Sequence, residues 1–224
     1  MLLQLTYMTG TSTADGASDH RLLAGASLRV GDRIGARYRV GALLRTRGPR
    51  ASFDGEDTKT GVPVVIEVVV DEAERVDPIA VAFLASARRA AMLEGPNVAR
   101  VLDAGVTSDG HPYVVSEAIA SGSLAAALDA EGSLPTSTAI DIALDVCDAL
   151  SEAHARRLLH GDLTVDDVHV AFATGTRPMR VKVAGIGTTH AALALRERSS
   201  GSSSAGSSSR SGVDAKGAPP ASIV

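Results

Sequence analysis

Seven consecutive residues, Val64-Val65-Ile66-Glu67-Val68-Val69-Val70, constrain this chain more than any other stretch. Six of the seven are β-branched, a composition that suits a pleated strand buried among neighbours and disfavours a helix. A run of this kind demands pairing on both sides, and the flanking sequence supplies candidates. Tyr38 to Leu44 alternates as a strand, Arg50 to Asp54 reads as a weaker partner, and Thr58-Lys59-Thr60-Gly61 is a turn ahead of the central run. Val98 to Asp103 and His111 to Ser116 are two further short strands, joined by a turn at Thr107-Ser108-Asp109-Gly110. One helix interrupts this series. From Pro78 to Glu94 the spacing becomes helical, with Phe83, Ala87, Ala90 and Leu93 on a shared face.

Beyond Glu117 the pattern turns helical. Leu124 to Ala130 is a short helix, and Pro135 precedes a long one over about 138–156. Ile140, Leu144, Cys147, Leu150 and His154 lie near one face of the long helix and are expected to be its main buried stripe. Cys147 is the only cysteine, so no internal disulfide exists, and it reads as a small core residue. Val168 to Ala171 and Val181 to Val183 form a last hairpin-like pair. The fold class is therefore α+β. Residues 1–27 form a Thr/Ser/Gly/Ala-rich leader, with Met8 an alternative start to Met1, and 199–224 are a Ser/Gly-rich tail; both are expected to be disordered. A net charge of −4 without a basic stripe gives no reason to expect nucleic acid. No apolar run is long enough to span a bilayer and the opening residues lack a signal-peptide pattern, so a cytoplasmic protein is expected.

Particular phrases narrow this further. Leu93-Glu94-Gly95-Pro96-Asn97-Val98 is similar to the entry to the fourth strand of protein kinases, and Asp109 through Glu117 resembles the strand into their interlobe hinge. Ala149-Leu150-Ser151-Glu152-Ala153-His154, followed by Leu158-Leu159-His160-Gly161-Asp162-Leu163, resembles their long helix and catalytic loop. In this order and at these spacings, the chain from Leu28 to about Thr189 resembles bacterial serine/threonine protein kinases of the eukaryotic type. The resemblance implies a two-lobe fold. Its N-lobe, about 28–116, would be a five-stranded antiparallel sheet plus one helix; its C-lobe, about 117–198, would be helical and incomplete. After Gly187 the sequence has room for one short helix up to about Arg198, so part of the long helix is expected to need cover from a protein partner or a second copy.

Kinases hold phosphates, neutralise their charge and position a hydroxyl. At the positions that the resemblance assigns to those tasks, this sequence departs from the pattern. The three spaced glycines of the phosphate loop fall on Arg45, Arg47 and Arg50, with only Gly48 remaining beside them. Glycine serves there because it lets backbone approach phosphate. The arginines read as a solvated basic turn, with a side-chain grip on phosphate as the alternative. The strand lysine that meets the α- and β-phosphates falls on Glu67, and Val65 crowds the expected adenine pocket. A carboxylate about 4 Å from a phosphate charge, at an effective dielectric near 20, is repelled by roughly 4 kcal/mol. The helix glutamate that would pair with the lysine is Ser86. Asp162 keeps the proton-accepting position, with Gly161 beside it for the usual arginine. Asp167 stands for the metal-binding asparagine and remains a weak candidate metal ligand, Thr164 replaces the loop lysine, and Gly185 replaces the main metal-binding aspartate. His160 reads as a structural histidine.

The resemblance thus implies a pseudokinase: a protein-binding or regulatory module in signalling, with Asp162 vestigial, no cofactor, and a protein partner or self-association. Two alternatives stay open. One is an unconventional serine/threonine kinase using Mg-ATP, in which the arginines hold phosphate and Asp162 orients a hydroxyl; the His160–Leu163 string also resembles small-molecule phosphotransferases. The other is a truncated kinase remnant without selected function.

Overall fold

The structure is a computed structural model that describes residues 28–70, 78–172 and 178–188. The leader 1–27, the tail 199–224 and the last expected short helix all lie outside the described residues. The central run forms β4 (Val62–Val69), and its alternation decides which way the sheet faces. Val64, Ile66 and Val68 are fully buried on one side, while Val65 and Glu67 point to the other and are half-buried. β4 pairs antiparallel with β3 (Arg50–Asp57) and with β6 (Pro112–Glu117). Outward from these lie β2 (Tyr38–Arg47), a two-residue β1 (Arg33–Ile34), and at the far edge β5 (Val101–Val106). The six-stranded order is β1-β2-β3-β4-β6-β5, antiparallel throughout, which is the five expected strands plus the short edge strand β1.

One face of this sheet is closed by its own side chains, chiefly Tyr38, Phe53, Val64, Ile66, Tyr113 and Val115. Burial pushes the Tyr38 phenol up to about 12. The other face takes helix α1 (Pro78–Ala90), which packs Phe83 and Ala87 against Val69 and Val114. The end of α1 continues into a second core, where Ala90 and Leu93 meet Ala149, Ala153, Leu158 and Val183. That core joins the sheet to the helical half: α2 (Leu124–Glu131), capped by Ser123 accepting from the Ala126 amide, and α3 (Thr136–Ala155). The hairpin of β7 (Val168–Phe172) and β8 (Pro178–Val183) lies against α3.

Two expectations are corrected here. β5 starts at Val101 rather than Val98, because Val98 and Ala99 are taken by β8: Val98 bridges to Val183 and the Ala99 amide donates to the Val183 carbonyl. The buried stripe of α3 is also not the one expected. Thr138, Ile142, Ala149 and Ala153 face inward, whereas Ile140 is 54% exposed, Leu144 59%, and Cys147 is exposed rather than a core residue. The small side chains Ala149 and Ala153 let α3 come close to Leu158 and Val183, and that closeness selects their face over the bulkier one.

Candidate functional site: a cleft filled by its own ion pairs

β2 and β3 are joined by Gly48-Pro49, a two-residue link between the paired Arg47 and Arg50. Gly48 has φ +55°, the left-handed region that a tight hairpin needs and that L-residues avoid, so this glycine serves the turn. Before the turn, β2 is irregular: its register shifts between Val40 and Leu43 and again between Leu43 and Arg45. Beyond these shifts, Arg45 pairs with Ser52, which pairs with Glu67. Arg47 stands opposite Arg50, and Arg50 opposite Val69. The pleat therefore places Arg45, Arg47, Arg50 and Glu67 on one face, above the cleft between sheet and helical half.

Arg47 and Arg50 as direct cross-strand neighbours would repel. Each is answered by a carboxylate. Arg50, whose side chain is 3% exposed, lies with Nη1 3.4 and 3.3 Å from the two Glu67 carboxylate oxygens. Glu67 thus carries the opposite charge to the lysine that the resemblance implies there, and its partner comes from β3 and not from the helix. Arg45 Nη2 donates to Asp167 Oδ1 at 3.0 Å. Arg47 reaches two acids at once, with Nη2 2.6 Å from Asp162 Oδ2 and Nη1 3.1 Å from Asp167 Oδ2. Arg47 Nη1 also donates to the Thr164 hydroxyl at 3.2 Å. The arginines are thus neither a solvated basic turn nor a free grip for phosphate.

Asp167 is fully buried, and its carboxylate is saturated. Oδ2 accepts from the Thr164 amide (3.0 Å), the Thr164 hydroxyl (2.9 Å) and Arg47, while Oδ1 accepts from Arg45. Burial by itself would raise this carboxyl, but the Thr164 bonds and Arg45 outweigh it and hold Asp167 below the usual carboxylate range. His160 is also buried. Its Nε2 lies 2.8 Å from the Ala184 carbonyl, which can only accept, so Nε2 carries the proton; Nδ1 has no hydrogen-bond partner. Burial lowers the basicity of His160, and that of His169 likewise. His160 is therefore a neutral, structural residue that fastens the loop to the residue just after β8.

Ser86 takes a different task from the glutamate expected there. Its hydroxyl donates to the Gly187 carbonyl at 2.7 Å, tying α1 to the segment after β8 without any charge. Gly185, at φ +76°, offers no side-chain ligand. At the back of the cleft Lys182 is ion-paired with Glu117 and also donates to the Val98 carbonyl at 3.4 Å. Glu117 also accepts from the Arg100 amide. Sequence reasoning missed this pair, and also the acid partners of Arg45 and Arg47; no local pattern signals contacts between residues 65 to 122 positions apart.

These residues do not fit Mg-ATP. A divalent cation needs free oxygen donors, and both Asp162 and Asp167 are already neutralised by guanidinium. Glu67 stands at the position where the resemblance puts a phosphate-binding lysine, and it brings a negative charge. Among the described residues, no group of three or more His, Cys, Asp or Glu side chains converges on a possible metal position.

Comparison with known proteins bears on the origin of this geometry. The family model described as protein tyrosine and serine/threonine kinase matches residues 46–206, well over half of the chain. This chain belongs to the protein kinase family. Among curated kinases it is 26% identical over 151 residues to serine/threonine-protein kinase PknB of Mycobacterium leprae, covering 66% of this chain and 24% of that protein. It is 32% identical over 141 residues to PknA of Mycobacterium tuberculosis, covering 61% and 33%. The kinase region thus spans about a quarter to a third of the curated relatives it matches. The crystal structure of the M. tuberculosis PknI kinase domain superposes with a TM-score of 0.60 at 20% identity, covering 72% of this chain and 62% of that one, a likeness of fold. The β2–β3 hairpin lies where the sequence resemblance puts the phosphate loop, and its Arg45 and Arg47 are bound to Asp162 and Asp167.

The buried histidines give a prediction for pH. Both have folded-state pKa values below the ordinary 6.5, so below that pH the unfolded chain takes up protons that the native state refuses. Stability is therefore full above about pH 6.5 and falls as pH decreases, by at most about 1.4 kcal/mol per pH unit for each proton. Asp167, held low, adds a further loss below its ordinary 3.8. Urea midpoints should fall between pH 7.5 and 5.5, and less so in His169→Gln. A flat profile over that interval would contradict the assignment of neutral buried histidines.

Proposed function

We propose that this chain is a pseudokinase: a kinase-fold module that does not transfer phosphate and acts by binding protein. The observation that carries this reading is the engagement of Asp162 and Asp167 by Arg45 and Arg47. A general base must reach the hydroxyl proton, and Asp162 instead holds a guanidinium at 2.6 Å. Glu67, paired with Arg50, supports the same reading, since the lysine that would meet phosphates has become a carboxylate.

The binding role draws on α3. Ile140, Leu144 and Cys147 make an exposed apolar stripe at helical spacing, and Asp141, Asp145 and Asp148 run beside it. A protein partner or a second copy is the occupant this surface suits. No helix among the described residues is long and apolar enough to cross a membrane, and we place the module in the cytoplasm, in a signalling role.

The unconventional-kinase alternative is tested by phosphate transfer. Incubation of the chain with γ-labelled Mg-ATP and serine- and threonine-containing protein substrates should give no incorporation above that of an Asp162→Asn variant. Turnover that depends on Asp162 would overturn the pseudokinase reading.

A further inference from the structure

We infer that Arg45 and Arg47 form a latch that closes the β2–β3 hairpin onto the catalytic loop, with two guanidiniums doing internally what a bound cation would otherwise do. The contacts run between strand β2 and a loop well over a hundred residues later, so they join the two halves of the fold and not neighbours in sequence. Arg47 bridges Asp162 and Asp167 with its two terminal nitrogens, and Arg45 takes the remaining Asp167 oxygen. A planar guanidinium fits such a bridge, whereas an ammonium is a point charge.

The latch is strong because of what its removal would leave. Asp167 is fully buried and ionised, and its two other partners, the Thr164 amide and hydroxyl, carry no charge. Without the arginines the loop has three ways to relieve that buried charge: open to water, take a proton, or take a cation. The first and third are observable. Other fastenings do not depend on the latch: Ser86 to Gly187, Lys182 to Glu117, and the core of Ala90, Leu93, Ala149, Ala153 and Leu158. Opening the latch should therefore loosen the cleft without unfolding the domain. The consequence is a constant cleft geometry, set by the chain itself and independent of nucleotide. This inference rests on the pseudokinase reading, because it assigns the cleft an internal occupant.

The test uses the full chain and its Arg45→Gly/Arg47→Gly variant, followed by hydrogen exchange of residues 44–50 and 160–167. The latch predicts a rise in exchange of ~10-fold or more in both segments, with exchange in β4 and α3 unchanged. It also predicts that the variant gains saturable binding of Mn2+, added without nucleotide and read by water-proton relaxation, which the parent chain lacks. A second variant guards against a folding defect: Arg47→Asp should open both segments while β4 and α3 stay as protected as in the parent chain. Unchanged exchange in the glycine variant, or an equal loss of protection in β4 and α3, overturns the latch. The two ideas fail separately: Mg-ATP turnover by the parent chain would sink the pseudokinase reading whatever the exchange data, and unchanged exchange sinks the latch whatever the nucleotide result.

Discussion

Arg50→Met should destabilise this protein by about 3–5 kcal/mol, because it leaves the carboxylate of Glu67 without its counter-charge in a nearly closed site. The two side chains are 3% and 13% exposed, so little water is available to replace the lost partner. Glu67→Leu should also be costly, because it removes the carboxylate beside the more deeply buried Arg50 guanidinium. The double variant Arg50→Met/Glu67→Leu should recover most of the loss. Replacing a buried ion pair with apolar groups of similar volume removes two desolvation penalties along with the attraction, and the net is often near zero. Urea midpoints at constant m-value provide the measurement, arranged as a double-mutant cycle. Single variants that each cost under about 1 kcal/mol would show that the pair is not coupled as its geometry indicates.

An equally large effect is expected on α3, and it depends on which stripe is touched. Ile142 is 4% exposed and packs with Val168, Val170 and Val181. Ile142→Glu would put a carboxylate among these side chains with nothing to pair it, a cost above about 4 kcal/mol that should leave the chain largely unfolded. Ile140→Glu, two residues earlier, sits at a position 54% exposed and should shift stability by no more than about 0.5 kcal/mol. If the exposed stripe is the docking face proposed above, Ile140→Glu together with Leu144→Glu should instead reduce association measured by sedimentation. Comparable melting losses from Ile140→Glu and Ile142→Glu would contradict the assignment of faces.

These two sites also mark how far the sequence could be read. The β-branched run at 64–70 fixes a central strand because few other structures accommodate it, and the ordered phrases around Asn97, His111 and Asp162 pointed to the kinase fold. The helix face was misread for a physical reason. α3 carries two apolar stripes, one of Ile140, Leu144 and Cys147, the other of Ile142, Ala149 and Ala153 with Thr138. Side-chain size favours the first, but close approach to Leu158 and Val183 requires the second, and only tertiary packing reveals that approach. The sequence singles out Arg45, Arg47 and Arg50 but shows nothing of their partners. A solvated turn and a latched one have the same local sequence, and the difference lies in acids on a loop well over a hundred residues away. The pairing of Arg50 with Glu67 follows from strand register, which depends on the tight turn at Gly48 and the irregularity in β2.

The central claim is that the cleft has no place for Mg-ATP, and a melting titration tests it most directly. A ligand at a hundred times its dissociation constant stabilises a folded protein by about 2.7 kcal/mol, which for a domain near 150 residues corresponds to a rise of several degrees, roughly 5–10 °C. Millimolar Mg-ATP added to the full chain at pH 7.5 should leave the melting temperature where it is in Mg2+ alone. A saturable, nucleotide-dependent rise would show that the Arg45 and Arg47 ion pairs give way to phosphate, and would contradict the account.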